Sequence, residues 1–190
     1  MKKQLGLLAL FGILFFSSCL TSLHPLYTPE TETYDAALLG LWKNEEESFL
    51  FEKAPKGDYY KLTYQGKDSA PQEIETHMIK LGAYYYLDFH RWVDNSNLYD
   101  GYNVLTPTVD AHNFFRVSWD NQQLQLIMFD GEKIEELLEQ RRARIKHERL
   151  ENDEFVLTAQ PEELQQFVLK YADELLDFSS PLELPKVSTR

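Results

Sequence analysis

Four side chains suited to binding or proton transfer lie at two-residue spacing in one short stretch: Tyr84, Tyr86, Asp88 and His90. Residues two apart on a β-strand point to the same face. A strand here would therefore present two phenols, a carboxylate and an imidazole together. We treat the four as candidate ligand-binding residues. The alternative is an exterior strip that a later helix partly covers.

Glu75 and His77 have the same spacing one predicted strand earlier, and His112 is a further histidine. Carboxylates and imidazoles on adjacent strands could hold a metal ion or form an acid–base pair. They are also ordinary outward-facing polar residues of an antiparallel sheet. Since the sequence has no HExxH, CxxC or EF-hand spacing, we predict neither a metal site nor a cofactor.

No nucleophile motif accompanies these residues. The sequence has no G-x-S-x-G elbow, and Ser118 stands in no recognisable motif. Glycine-rich phosphate loops are also absent from the sequence. We therefore predict that the protein is not an enzyme, and an unrecognised hydrolase is the least favoured hypothesis.

Two further groups of residues, one aromatic and one basic, could bind a ligand or a surface. Ten aromatic residues between Tyr59 and Tyr102 could line an apolar cavity, stack on sugar rings or simply pack in a sheet. The basic cluster comprises Arg141, Arg142, Arg144, Lys146 and Arg149. It suits the negative end of a helix, and it could alternatively contact anionic lipid head groups.

Short runs of strand-forming residues, separated by turn residues, must position these side chains. They predict an antiparallel meander with strands over Ser48 to Lys53, Tyr59 to Gln65, Ile74 to Leu81, Tyr84 to Arg91, Asn103 to Pro107, His112 to Asp120 and Gln123 to Phe129. Alternation along the fourth run places Tyr85, Leu87 and Phe89 on the face opposite Tyr84 and Tyr86. We expect one face of the sheet to be buried.

Helical periodicity appears late in the chain. Asp130 is a candidate N-cap for a helix whose apolar side carries Ile134, Leu137, Leu138 and Ile145, and Pro161 suits the first turn of a second helix. A strand hairpin, Lys146 to Leu150 with Glu154 to Thr158, lies between them. The predicted fold class is mainly β (α+β), with a meander curled into a barrel or a strongly bent sheet and two late helices.

Composition narrows the classes of partner. The chain has 190 residues, 43% of them hydrophobic, which is sufficient for one sizeable core. Its 31 acidic residues outnumber 19 Lys and Arg, giving a formal charge of −12. Because a surface of that sign repels phosphate backbones, we predict no nucleic-acid partner.

The N-terminus has the pattern of an export signal. Lys2 and Lys3 precede an uncharged run from Leu5 to Phe16, which is too short to cross a bilayer comfortably and fits the apolar region of a signal peptide. Two serines then lead to Cys19, the single cysteine. We predict a signal peptide over residues 1–18.

The stretch Phe16-Ser17-Ser18-Cys19 resembles a bacterial lipobox, with Phe16 where Leu is usual. The resemblance implies cleavage by signal peptidase II and lipidation of Cys19, which would give the protein a membrane-lipid partner through its acyl chains. With Leu20 next, it also implies a lipid-anchored protein of the bacterial cell envelope, in the outer membrane and facing the periplasm.

Gly40-Leu41-Trp42 resembles the glycine-any-tryptophan motif of lipocalins and related calycin β-barrels. In that family the tryptophan closes one end of the barrel and an arginine from a late strand covers it. The resemblance therefore implies structural roles for Gly40 and Trp42, with Arg116 or Arg149 as the covering arginine.

These patterns divide the chain into a signal peptide (1–18), a lipidated cysteine and tether (19–35), a single β-rich domain (36–178) and a loose C-terminal tail (179–190). The run from Leu23 to Tyr27 is apolar enough to lie instead against the domain or the membrane surface. We predict a membrane-anchored envelope lipoprotein with a non-enzymatic binding or assembly domain, which binds an envelope protein. The alternative is a lipocalin-like carrier of a small apolar ligand.

Overall fold

The computed structural model describes residues 20–91, 110–150 and 155–187. The predicted signal peptide, Cys19 and the predicted strand from Asn103 to Pro107 lie outside the described residues. Within them, twelve strands belong to one sheet. The strands are β1 (Thr21–Ser22), β2 (Glu32–Thr33), β3 (Gly40–Lys43), β4 (Glu47–Lys53), β5 (Tyr60–Gly66), β6 (Gln72–Leu81), β7 (Tyr84–Arg91), β8 (His112–Trp119), β9 (Gln123–Met128), β10 (His147–Arg149), β11 (Phe155–Leu157) and β12 (Leu182–Pro185).

Strands β3 to β9 form the predicted antiparallel meander, each paired with the next. At one end, β12 pairs with β9, and Lys186 then makes an isolated bridge to Trp42 of β3. At the other end, β1 lies between β8 and β11. It is antiparallel to β8 and parallel to β11. The sheet is strongly bent and does not close into a barrel. The predicted fold class is therefore confirmed.

The bend gives the sheet two differently covered faces. Its inner face carries one core, which includes Trp42, Phe49, Phe51, Tyr60 and Phe89. The other, helix-covered face carries a second core, which includes Tyr86, Phe114 and the apolar side chains of both helices. Leu87 and Phe89 lie in the inner core with Tyr85 packed against it, so the predicted alternation along β7 is confirmed.

The two late helices are α1 (Gly131–Glu139) and α2 (Pro161–Leu175). Asp130 caps α1 by accepting from the amides of Glu132 and Lys133, and Pro161 opens α2. The expectation that α1 extends to Ile145 is wrong. Arg141 has φ 56°, a left-handed conformation that ends the helix, and the amide of Arg142 donates to the carbonyl of Leu137.

The predicted tether over 19–35 is wrong for residues 20–35, which we call the N-terminal segment. Leu20 and Leu26 are buried in the helix-covered core, and β1 and β2 belong to the sheet. A one-turn 3-10 helix, Ala36–Leu38, then leads into β3. The apolar run from Leu23 to Tyr27 was the sequence signal for this packing.

The predicted loose tail over 179–190 is likewise wrong for residues 182–187. Strand β12 pairs with β9 over its full length, and Leu184 is buried in the inner core. The amide of Val187 donates to the carbonyl of Leu41 at 2.8 Å. The end of the described chain thus holds the two sides of the bent sheet together.

Candidate functional site

Trp42 lies at one end of the inner core and is fully buried, as its motif implies. Its Nε1 donates to the carbonyl of Leu38 at 2.8 Å. The cation over its ring is Lys186, with Nζ 4.5 Å from the ring centroid and donating to the carbonyl of Ala37. Gly40 has φ 117°, which side-chain-bearing residues rarely adopt.

The expectation that Arg116 or Arg149 covers Trp42 is wrong. Arg116 lies on β8 with its guanidinium 3.3 Å from the ring centroid of Tyr84, on the helix-covered face. Arg149 lies on β10 and pairs with Glu135 and Glu139 of α1. Lys186 supplies the cation because the residues after β12 run beside β3, where Lys186 makes a bridge to Trp42.

The structure does not bring Tyr84, Tyr86, Asp88 and His90 together as one binding surface. All four lie on the helix-covered face of β7, but Tyr86 and Asp88 are buried beneath the helices and the N-terminal segment. Tyr84 is exposed at one end of the strand and His90 is partly exposed at the other. The strip therefore divides into a buried middle and two separate ends.

Asp88 and His90 instead belong to a polar cluster with Glu75, His77 and His112 on the adjacent strands β6, β7 and β8, and with Glu32 of β2. The sheet register places Glu75 opposite His90, and His77 opposite Asp88. Glu32 reaches the cluster from β2, which pairs with the edge of β6. The alternative of outward-facing polar residues is wrong for His77 and Asp88, which are buried, and His112 is buried as well.

His77 is contacted through both ring nitrogens and through its ring faces. Nδ1 donates to Glu32 at 2.5 Å and Nε2 donates to Glu75 at 2.9 Å. The rings of Tyr27 and Tyr59 stack on its two faces, with centroids 4.0 and 4.7 Å away. Because carboxylates only accept hydrogen bonds, bonding through both nitrogens favours the protonated imidazolium.

The pKa values agree with this arrangement. Burial alone would lower the pKa of His77, but its hydrogen bonds and the charges of Glu75 and Glu32 outweigh burial and raise it. The hydrogen bond from His77 lowers the pKa of Glu75. Burial and the neighbouring His112 lower the pKa of His90. Burial, with the charges of Asp88 and Glu75, raises the pKa of Tyr27 to about 12.

Asp88 joins the cluster to the N-terminal segment. Its carboxylate accepts from Nδ1 of His112 at 2.8 Å and from the backbone amide of Leu26 at 2.7 Å. Gln165 of α2 donates to the carbonyl of Leu26 at 2.9 Å. The segment is therefore fixed between the sheet and α2 by buried polar groups as well as by its leucines.

The cluster's contacts match a structural role better than ligation. Both nitrogens of His77 and one of His112 face carboxylates, which leaves His77 no lone pair for a metal. In residues 20–91, 110–150 and 155–187, no three His, Cys, Asp or Glu side chains have a geometry that could hold a metal ion. Chemically, the arrangement favours the protonated form of His77.

An exposed patch of apolar and aromatic side chains lies beside Arg116 and the turn before β7. Six large hydrophobic side chains are exposed among the described residues, and three of them lie here: Tyr84 (42%), Leu169 (58%) and Phe178 (50%). Arg116 stacks on Tyr84 and pairs with Asp173 of α2 at 3.3 Å. Phe178 lies 5.6 Å from the guanidinium, and Leu169 covers Gly82 beside β7. We call Tyr84, Arg116, Leu169 and Phe178 the aromatic patch.

The sequence did not indicate two of these four residues. Leu169 follows Val168 in α2 and is indistinguishable by type from the buried leucines of that helix. Phe178 lies just beyond α2, in a segment without periodicity. Only the packing of α2 beside β7 and β8 brings them to Tyr84 and Arg116.

An open groove of about 830 Å³ lies between the loop after α1 and the exposed side of α2. Its cations are Arg141, Arg142, Arg144, Lys146 and Lys170, which we call the basic surface. Lys146 pairs with Glu163, and Arg142 pairs with Glu174. Arg141 and Arg144 form no salt bridge with any described residue.

Comparison of the chain with protein-family models, with curated protein sequences and with solved structures gives no match. Neither described helix is long and apolar enough to cross a membrane.

Proposed function

We propose that this chain is a lipid-anchored lipoprotein of the bacterial cell envelope whose β-rich domain is a non-enzymatic module that binds an envelope protein through the aromatic patch. The observation that carries this proposal is the exposure of Tyr84 and Phe178 beside Arg116, with Leu169 exposed beside Gly82, two residues before Tyr84. Tyrosine and arginine are enriched among the residues that dominate binding energy in protein interfaces. Exposed apolar residues that cluster mark interaction sites, whereas scattered ones are ordinary.

The geometry of Arg116 supports a preformed site. Its guanidinium is already stacked on Tyr84 and paired with Asp173, so binding would immobilise few additional rotamers. The patch also spans β7, β8, α2 and the residues after α2. A surface built on rigid elements keeps its geometry in the absence of a partner.

The filled inner face favours this function over the lipocalin-like carrier. Trp42, Phe51, Tyr60, Leu62, Leu87 and Leu124 are each at most 1% exposed on the face where a carrier would hold its ligand. Large aromatic side chains occupy the space between the two sides of the bend. An apolar ligand would have to displace them.

The lipid anchor is proposed from the lipobox-like stretch before Leu20. Native protein extracted from membranes should carry acyl groups on Cys19 and begin at that residue, as measured by intact mass. Replacing Cys19 with Ser should abolish acyl labelling, while the matched Ser18→Ala variant should keep it. Labelling of Cys19→Ser would contradict the anchor.

A photo-crosslinking amino acid at position 169 tests the binding surface in the producing cells. We expect a discrete protein adduct that disappears when Tyr84→Ala or Phe178→Ala is added. The matched control carries the crosslinker at Val187, another exposed apolar position, and should not give that adduct. An identical adduct at both positions, or its persistence in both alanine variants, would refute the patch as an interface.

A further inference from the structure

The basic surface is not explained by the end of a helix. Helix α1 ends at Glu139, and its last turn contains no basic residue. Arg141, Arg142 and Arg144 follow in a loop, where the attraction of cations to a helix terminus falls off. The explanation that the sequence suggested for these arginines therefore does not hold beyond the first of them.

The groove is positive in an otherwise acidic protein. Five cations and one carboxylate, Glu163, line it, which gives a formal excess of four positive charges. Glu174, which pairs with Arg142 from outside the lining, reduces the excess to three. Glu151, Asp153 and Glu154 lie between β10 and β11 in the sequence and outside the described residues. The whole chain has a formal charge of −12, so the charge of this surface is opposite in sign to that of the protein.

The same surface adjoins the point where the described chain begins. Ser22 of β1 pairs in parallel with Leu157 of β11. Leu157 pairs in turn with His147 of β10, which lines the groove. Since neighbouring strands are about 4.8 Å apart, the Cα atoms of Ser22 and His147 are about 10 Å apart.

Side chains connect that strand edge to the groove without a gap. Arg141, His147, Arg149 and Phe155 line a smaller cleft of about 260 Å³ beside β10 and β11, together with Glu135 and Glu139, which pair with Arg149. Arg141 and His147 line the large groove as well. Leu150, next to Arg149, is an exposed apolar residue at the same end. The groove thus adjoins the strands that pair with the N-terminal segment.

We propose that the basic surface binds the phosphate-bearing head groups of anionic phospholipids in the membrane that holds the acyl chains of Cys19. This inference rests on the proposed lipid anchor. Leu20, the residue after Cys19 in the sequence, is buried in the domain. The anchor therefore brings the strand edge beside Ser22, and the groove that adjoins it, to the head-group region, where cations are attracted to anionic lipid.

The experiment measures binding of the full chain, extracted from membranes in detergent, to vesicles after dilution. One set of vesicles is phosphatidylcholine alone, and the other contains equal parts of phosphatidylcholine and phosphatidylglycerol. The readout is the ratio of lipid concentrations at half-binding. We expect a preference for the anionic vesicles that falls as salt is added, because salt screens exposed charges.

Removing cations should weaken that preference in proportion. Each cation near an anionic surface contributes about fivefold, so Arg141→Gln with Arg144→Gln should lower the preference about 25-fold. Lys43→Gln with Lys56→Gln, on the exposed side of β3 and in the turn after β4, removes the same charge elsewhere and should leave it unchanged. A second variant, Arg141→Gly, removes one cation and places glycine at the left-handed position. If it binds the anionic vesicles more weakly without a lower melting temperature, unfolding is excluded as the cause of the weaker binding.

The lipid anchor and the head-group proposal can be refuted independently of each other. If the extracted chain carries no acyl group, the anchor is refuted, while a salt-sensitive preference lost in the arginine variant still supports the basic surface. Equal binding to both kinds of vesicle overturns the head-group proposal. The proposal is also overturned if the arginine variant dissociates an oligomer and leaves the vesicle preference unchanged. That result would assign the basic surface to contact with a second copy of this chain.

Discussion

The buried carboxylate of Asp88 accepts a hydrogen bond from the backbone amide of Leu26 at 2.7 Å. A strand in the middle of the sheet is thereby joined to a residue that lies six positions after the first described one. Since Asp88 also accepts from His112, one side chain fixes both the N-terminal segment and β8. This contact makes the chain after Cys19 part of the domain.

Asp88→Ala should therefore lower the free energy of unfolding by about 3–5 kcal/mol, because it leaves His112 and the Leu26 amide buried without an acceptor. Urea unfolding measures this loss, and protease cleavage within residues 20–35 should accelerate. Asp58→Ala removes an exposed pair with Lys53 and should cost less than about 1 kcal/mol. Similar losses in the two variants would contradict the buried role of Asp88.

The contribution of His77 to stability should be greatest in mildly acidic solution. Its pKa is raised above the ordinary 6.5, so its contribution is complete below pH 6.5 and is lost as pH rises through the folded pKa. The pKa of Glu75 is lowered from 4.5, so its contribution is complete above pH 4.5 and is lost as pH falls through the folded pKa. Together the pair should stabilise most between pH 4.5 and 6.5.

Urea midpoints from pH 4 to 9 test this, with His77→Gln as the variant that should flatten the difference curve. His90 acts in the opposite sense, because its lowered pKa makes its contribution complete above pH 6.5 and lost toward lower pH. The exposed His147 supplies the matched control, His147→Gln, which should leave the profile unchanged. A His77→Gln profile parallel to that of the parent would contradict the arrangement.

Trp42→Ala should cost about 3–5 kcal/mol, since it empties a fully buried site at the end of the inner core. Lys186→Met keeps the aliphatic stem and removes the cation over the ring, so about 0.5–1 kcal/mol should be lost. Thermal unfolding should show a larger loss of melting temperature for Trp42→Ala than for Lys186→Met. An Arg116→Met variant that destabilises the Trp42 environment as strongly as Lys186→Met would contradict the assignment of the covering cation.

Tyr84 and Tyr86 provide a contrast on one face of one strand. Tyr86→Ala should cost about 3–5 kcal/mol because the ring is buried beneath the helices. Tyr84→Ala removes a ring that is 42% exposed and stacked on Arg116, so we expect a loss below about 1 kcal/mol. Equal loss of melting temperature would mean that the aromatic patch is part of the core and not a free surface.

Arg141→Gly should stabilise the protein. The left-handed conformation costs a side-chain-bearing residue about 1–2 kcal/mol. Glycine avoids that cost but adds about 0.4–1 kcal/mol of entropy to the unfolded chain. The net gain should be between zero and about 1.6 kcal/mol in urea unfolding. A clear loss instead would show that the Arg141 side chain contributes to folding, and Arg144→Gln serves as the control for charge alone.

The sequence by itself determined the fold class, most strand positions and the starts of both helices. These features depend on local signals: alternation along β7, turn residues between strands, the Asp130 cap and Pro161 at the first turn of α2. Such signals act over a few residues, and their physical cause is present wherever the residues are.

The short strands and the coverage of each face were decided only in the tertiary structure. β1 and β2 have two residues each, too few to show a period, and they form because β8, β11 and β6 offer free edges to pair with. Alternation shows which residues share a face but not what packs on it. The sequence therefore placed Asp88 on the correct face of β7, and only the docking of residues far away in the chain buried it.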